Sequence, residues 1–422
     1  MPDSATSVTW ARQSLCLSPE QWALYSTPQA NTKTLALLYG LSTGQDPVST
    51  LASIDTFVAQ TGLSYVQLRE LIDEDLSDQE VNNGLNAAFF INSNTTNTAQ
   101  GPIAMDTDTG QLTNLTLERL DHINRFVRLA QALSWSFIDL DWALRTIGGI
   151  VNTTNNGVPV IRDDVLPYLA WFQTLQQQYK FSMNQSCALI GTLKDIGQKN
   201  GPNFFDQIFN NAYVPNPPSW KDNQGTYSLT WNVPQPGSQD QPSKSDLQIQ
   251  NALAAALQVS QDDLLHIAYL VLQALEFTDN KLPLTLANLS ILYRLSQLPT
   301  LPGLSIQACF TALGLPGQPT KALDQLASAS GADAKASLGL LTQFDQWLST
   351  SHFSVYQLQF ILTGSSQDAT IQNQILGLDK ITNFLNELYT AIQPTLLTEE
   401  QFTTALSTLM QRSGSSPEAI QA

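Results

Sequence analysis

Charge is scarce in this sequence. Only 13% of its 422 residues are Asp, Glu, Lys or Arg, about half the share of an ordinary soluble domain. The charge is also one-sided, with 19 Lys and Arg against 36 Asp and Glu and a formal net charge of −17. A surface poor in basic residues repels phosphate backbones and anionic headgroups, which argues against nucleic acid as a partner and against direct membrane insertion. Long apolar runs are missing as well. The longest, residues 264–277, is interrupted by His266, Gln273 and Glu276, and is too short and too polar to span a bilayer. Residues 1–9 carry no basic stretch followed by an apolar one, so no secretory leader is expected there.

Cysteine and histidine are nearly absent, with three of each. Cys16, Cys187 and Cys309 are far apart and form no C-x-x-C, which excludes a disulfide framework and a zinc ribbon. Their apolar neighbours predict three buried free thiols. His122, His266 and His352 have no H-x-x-x-H or H-E-x-x-H spacing, so the usual zinc-hydrolase pattern is missing. His122 is expected on a solvated helix face, and His266 partly buried and hydrogen-bonded.

Other chemistry is absent too. The run Asp106-Thr107-Asp108-Thr109-Gly110 resembles the start of a calcium loop, but Leu117 stands where the closing Glu belongs. A turn closed by Asp side chains is the simpler reading. Asp139 and Asp141 are two apart, which on a helix points them in different directions. No Gly-rich phosphate loop and no G-x-S-x-G occurs. The expectation is a chain without catalytic residues, cofactor or metal.

What the sequence does have is 42% hydrophobic residues and a recurring start signal. An apolar residue, a Ser or Thr, two variable residues and a polar residue precede an apolar run. The instances begin at Ser18, Ser64, Ser136, Ser182, Ser260, Ser305, Ser354 and Thr398. A hydroxyl there accepts a bond from an orphan N–H of the first helical turn, and the third residue on can reach back to the cap's own N–H. Gln or Asp fills that third position except at Ala308. The preceding residue, among them Leu17, Leu63 and Phe353, suits the hydrophobic staple.

The starts are 46, 72, 46, 78, 45, 49 and 44 residues apart. A period near 46 fits a two-helix repeat. The partner helices show as apolar stripes: Leu120, Ile123, Val127 and Ala130, with Asp121, Asn124, Arg125 and Arg128 facing away; Leu341, Phe344 and Leu348; and Leu378, Ile381, Leu385, Leu388 and Ile392. The fold class is therefore all-α, stacked helical-hairpin repeats with two irregular or short-β insertions. Repeats are expected over residues 1–75, 115–210 and 246–422. Residues 76–114 form an irregular insertion, and residues 211–245 form a Pro-rich one in which residues 226–233 alternate like a strand. Trp135, Trp142, Trp171 and Trp347 fall at core spacing. Trp220, Tyr227 and Trp231 sit in the Pro-rich insertion, where they either anchor it to the helices or present a glycan-binding face; packing is favoured. The first insertion has fewer anchors and is expected to be cut first by proteases.

Two stretches resemble a known family. Residues 56–72 (TFVAQTGLSYVQLRELI) and 117–144 (LERLDHINRFVRLAQALSWSFIDLDWAL) are similar to the helical region of Tc-toxin A components, with INRFVRL the most specific part. Residues 284–313 and 351–364 look like further repeats of that region. The resemblance covers roughly residues 15–410. It implies a secreted homopentamer in which a helical shell surrounds a channel that delivers a toxic cargo. Other regions of the full toxin would bind the B–C components and a host surface receptor or glycan. Nothing here resembles the channel, the β-rich receptor-binding domains or the neuraminidase-like domain. The implied role is a shell segment without catalysis. The alternatives are a receptor- or glycan-binding module of the toxin, or a free-standing helical repeat scaffold.

Overall fold

The computed structural model describes residues 4–93, 101–151, 158–234, 242–277, 279–315, 322–327 and 331–365, with scattered positions up to residue 408. The chain is mostly helical and divides into two compact units, Met1–His352 and Phe353–Ala422. The stripe at residues 378–392 and Thr398 lie outside the described residues.

In the first unit the spacing of the caps sets the spacing of the helices, but the filling of each interval varies. The interval after Ser136 holds two long helices, Phe137–Val151 and Leu166–Gln178. The interval after Ser18 holds four short ones: Pro19–Ser26, Thr32–Leu38, Pro47–Leu51 and Ile54–Thr61. Polar caps at Asn31, Asp46 and Ser53 start the last three, so each short piece has one of its orphan N–H groups satisfied by its own cap. One hydrophobic core runs from Ala11 to Leu341 along the stack.

The Leu117–Leu133 helix is covered on more than one face. Thr116 caps its start, and Ser134 ends it in the left-handed conformation at φ 57°. Its stripe Leu120, Ile123, Val127 and Ala130 is buried. Asp121, His122 and Arg125 are buried as well, against the expectation of a solvated polar face. The reason is a second layer: the Pro19–Ser26 and Thr32–Leu38 helices and the Phe90–Asn92 turn all pack on this helix. The apolar stripe shows one contact face, whereas a helix inside a stack has several.

The described residues of the first insertion are more ordered than their composition suggests. Ser77 and Glu80 form a complete capping box on a short helix, Asp78–Asn82. Two 3-10 turns follow, Leu85–Ala88 and Phe90–Asn92. Phe89, Phe90, Ile91, Ile103 and Leu112 are buried, so the expectation of few anchors is corrected. Strands β1 (Ala104–Asp106) and β2 (Gln111–Thr113) pair antiparallel. Their turn is closed by Asp106, whose carboxylate accepts from the N–H groups of Asp108 and Thr109. The hairpin bonds back to the repeats through Leu112 N to Ala52 O and Ile54 N to Gly110 O.

The Pro-rich insertion contributes β3 (Thr230–Asn232). Its partner is β4 (Lys281–Pro283), outside the insertion, in the register Trp231 opposite Leu282. The segment is thus sewn to a strand beyond it, and it also folds back on itself at one antiparallel bridge, Lys221 opposite Tyr227. In the second unit, Ser354 caps the Val355–Thr363 helix, Gly364 ends it at φ 73°, and Val355 and Leu358 are buried.

Three single-residue expectations are also corrected. Cys16 is exposed, sitting at φ 55° in the turn after the first helix. Trp347 is 45% exposed and stacks on Phe344. His266 is exposed and stacks on Phe310, with ring centroids 5.6 Å apart. In each case an apolar neighbourhood in sequence places the residue near the core but does not say on which side.

Candidate functional site

The structure brings polar groups together in three places, and in each their bonds hold elements of the fold. The first is the set of helix starts. Ser18, Ser64, Ser182, Ser260, Ser305 and Ser354 are N-caps whose hydroxyls accept from the N–H three residues on. Ser136 does the same for Asp139 at 3.0 Å. The reciprocal bond is present where the third residue is Gln: Gln21, Gln67, Gln185 and Gln357. At Ser260 the shorter Asp263 instead takes the cap's own hydroxyl proton, at 2.7 Å. Replacing Ser64 or Ser136 by Ala is expected to lower stability by about 1 kcal/mol each, read as a shift in the urea midpoint. An unchanged midpoint in both variants would remove the caps from the account of the fold.

The second place is a buried polar layer around Phe90. Arg125 Nε donates to Asp121 Oδ2 at 2.8 Å, with side-chain exposures of 6% and 2%. The same guanidinium reaches Tyr25 O, and Asp121 Oδ1 accepts from Gln29 N. Tyr39 donates its hydroxyl to Leu120 O. Phe90 N donates to Asp141 Oδ1 at 2.7 Å, and the Phe90 ring lies tilted against His122 with centroids 4.9 Å apart. Burial, then the Arg125 charge, pushes the His122 imidazole down to about 4, against hydrogen bonds to the Ile91 and Phe90 backbone. Burial raises Asp141 to about 6 and holds Glu74 well above the usual carboxylate range.

These two shifts predict opposing pH effects. His122 folds preferentially neutral, so its contribution is present above the unfolded pKa of about 6.5 and is lost as pH falls toward 4. Asp141 folds preferentially protonated, so falling pH stabilises the fold from about 6 down toward the unfolded value. The His122→Gln variant should therefore lose less stability between pH 7 and pH 4.5 than the parent, and Asp141→Asn should lose more. Urea midpoints at the two pH values measure this. Parallel pH profiles for all three proteins would contradict it.

The third place is an extended strap, residues 191–199, which follows the Met183–Ala188 helix. Leu193 N donates to Ser290 Oγ, and Gly191 O accepts from Arg294. Lys194 Nζ pairs with Asp75 at 3.1 Å, Gly197 N donates to Glu80 Oε1, and Lys199 N donates to Asp75 O. Gly197 stands at φ 88°, and a Cβ there would collide with the Asp75 carboxylate. That position demands glycine on both counts. On its other side, Asp195 Oδ2 accepts from Lys221 Nζ at 2.9 Å and from the Tyr227 hydroxyl at 3.1 Å.

The aromatics of the Pro-rich insertion sit against this strap. Trp220 is buried, donates Nε1 to Phe209 O and meets the Phe209 ring edge-on at 5.3 Å. Tyr227 packs edge-on against Phe205 at 5.4 Å, and Trp231 is fully buried. Neither tryptophan has the open ring face that stacking on a sugar needs.

The polar cap Ser77 and the residues Lys194, Asp195 and Gly197 were missed by sequence reasoning. Ser77-x-x-Glu80 was a legible capping box. The strap carries no periodic signal, because its bonds are to residues far away in sequence. Among the described residues no group of three or more His, Cys, Asp and Glu could hold a metal ion, and no helix is long and apolar enough to cross a membrane.

No family model matches the chain. Over 197 residues, 47% of this chain, it is 27% identical to Toxin subunit YenA1 of Yersinia entomophaga, and the match takes in 16% of that protein. Among solved structures, TcaA-TcaB of Yersinia pseudotuberculosis superposes on 97% of this chain and 17% of its own, with a TM-score of 0.47 and 17% identity. TcdA4 of Morganella morganii covers 71% of this chain and 12% of its own, with a TM-score of 0.48 and 16% identity. The chain thus spans less than one-fifth of each relative's length. By its sequence match the chain is similar to a Tc-toxin subunit.

Proposed function

We propose that this chain is a structural shell segment of a secreted Tc-type toxin A component, supporting assembly and protecting the translocation channel, with no catalysis of its own. The observation that supports it best is the 27% identity with a toxin subunit over nearly half the chain. The polar side chains agree with that role. Asp121, Arg125, Asp75, Lys194 and Asp195 bond to one another and to neighbouring segments of this chain. A site that turns over substrate needs such groups converging on an open cleft.

On this reading residues 76–114 and 211–245 are insertions into an array of helical repeats. The partners are the remaining domains of the toxin subunit, further copies in a homopentamer, and the B–C components through other regions. Burial of Trp220 and Trp231 speaks against the glycan-binding alternative.

The test uses the complete toxin subunit that contains this segment, compared with the same subunit lacking it. Loss of pentamers in electron micrographs, with the chain alone releasing no dye from anionic or neutral liposomes, is the expected result. Normal pentamers without the segment would overturn the assembly role. Binding of the isolated chain to host cells or to a glycan array would favour the receptor-binding reading.

A further inference from the structure

We infer that the strap at residues 191–199 joins the two insertions into one cooperative unit, so that a disturbance at either is felt at the other. The geometry points to this because consecutive residues of one extended segment face opposite ways. Lys194 holds Asp75 at the root of the first insertion, while Asp195 holds Lys221 and Tyr227 of the second. Gly197 and Lys199 add backbone bonds to Glu80 and Asp75.

The strap also has little freedom of its own. Leu193 N is fixed to Ser290 Oγ and Phe205 N to Lys194 O, and Asn203 donates its amide to Asp195 O. Lys194 is nearly buried, with a side-chain exposure of 5%, and also lies over the Trp142 ring at 5.8 Å. A segment pinned this often has no slack in which to absorb a lost contact. Releasing its grip on one insertion therefore shifts the backbone that grips the other. Segments that open together in this way form a single local unfolding unit.

Amide hydrogen exchange on the full chain tests it, read at the far side of each change. Lys194→Met removes the ion pair with Asp75 but keeps the apolar stem over Trp142. It should speed exchange of the Asp222 and Gly225 amides in the second insertion by about tenfold, the factor a charge-assisted bond carries. Tyr227→Phe removes one hydroxyl and keeps the ring packing. It should speed the Val81 and Asn83 amides of the first insertion, by a smaller factor. The Gln261–Ala274 helix serves as the control and should not change in either variant. Faster exchange confined to the insertion nearest each substitution would overturn the proposal. So would an equal rise in the control helix, since that means the whole unit has loosened.

Discussion

Arg125→Met should destabilise the first unit by about 3–5 kcal/mol, the cost of leaving one member of a buried ion pair without its partner. Asp121 is 1% exposed, so solvent cannot replace the guanidinium. Its Oδ1 keeps the bond from Gln29 N, but Oδ2 loses its donor. The charge-neutral double variant Arg125→Met with Asp121→Leu separates the pair from its surroundings. It removes the stranded carboxylate, yet it leaves Gln29 N and Tyr25 O without the side chains that bond them. The buried Tyr25 O costs about 1–3 kcal/mol and the half-buried Gln29 N less. The double variant should therefore recover part of the loss and remain below the parent. The urea midpoint of each protein gives the answer. A single variant as stable as the parent would mean the pair is hydrated. A double variant as poor as the single would put the cost in the backbone bonds.

This buried pair marks where reading the sequence stopped working. The Leu120, Ile123, Val127 and Ala130 stripe identified the helix and one of its faces correctly, because a 3.6-residue period reports a contact face directly. Asp121 and Arg125, four apart, were assigned to water because charge is usually solvated. Their burial depends on three elements distant in sequence covering the second face, and no local pattern encodes that. The caps were legible for the opposite reason. A Ser with Gln three residues on closes a box using only its own first turn, as Ser64 and Gln67 do. The Ser77 box in the first insertion was equally local but lay in a stretch rich in Asn and Thr, where composition outweighed the motif. The strap is the least visible part. Lys194, Asp195 and Gly197 carry no periodicity, and what they do is set by Asp75, Glu80, Lys221 and Tyr227, each more than 25 residues away.

Trp231→Ala should cost about 3–5 kcal/mol, the range for emptying a fully packed aromatic site. Trp231 is 0% exposed and stands opposite Leu282, also 0% exposed, in the β3–β4 pair. Backbone bonds from Val233 N to Asn280 O and from Leu284 N to Leu229 O flank that pair. Together they fasten the Pro-rich insertion to the repeat that follows. Two three-residue strands supply few ladder bonds, so the side-chain pair has to supply most of the hold. The indole N–H adds nothing to it, because Trp231 Nε1 is buried without a hydrogen-bond partner in the structure. Trp231→Phe should therefore cost much less than Ala, since it keeps most of the apolar volume and removes an unpaired donor. Limited proteolysis supplies a second readout. In the parent, residues 211–234 should resist cleavage, held by Trp220, Tyr227 and Trp231. In Trp231→Ala the first cuts should move into that segment, because a strand without its buried anchor opens at little cost. A Phe variant as damaged as Ala would show that the indole N–H has a partner after all. An Ala variant with an unmoved midpoint and unchanged cleavage would show that the insertion is held elsewhere, and the Trp220 and Tyr227 contacts with Phe209 and Phe205 would then be its anchors.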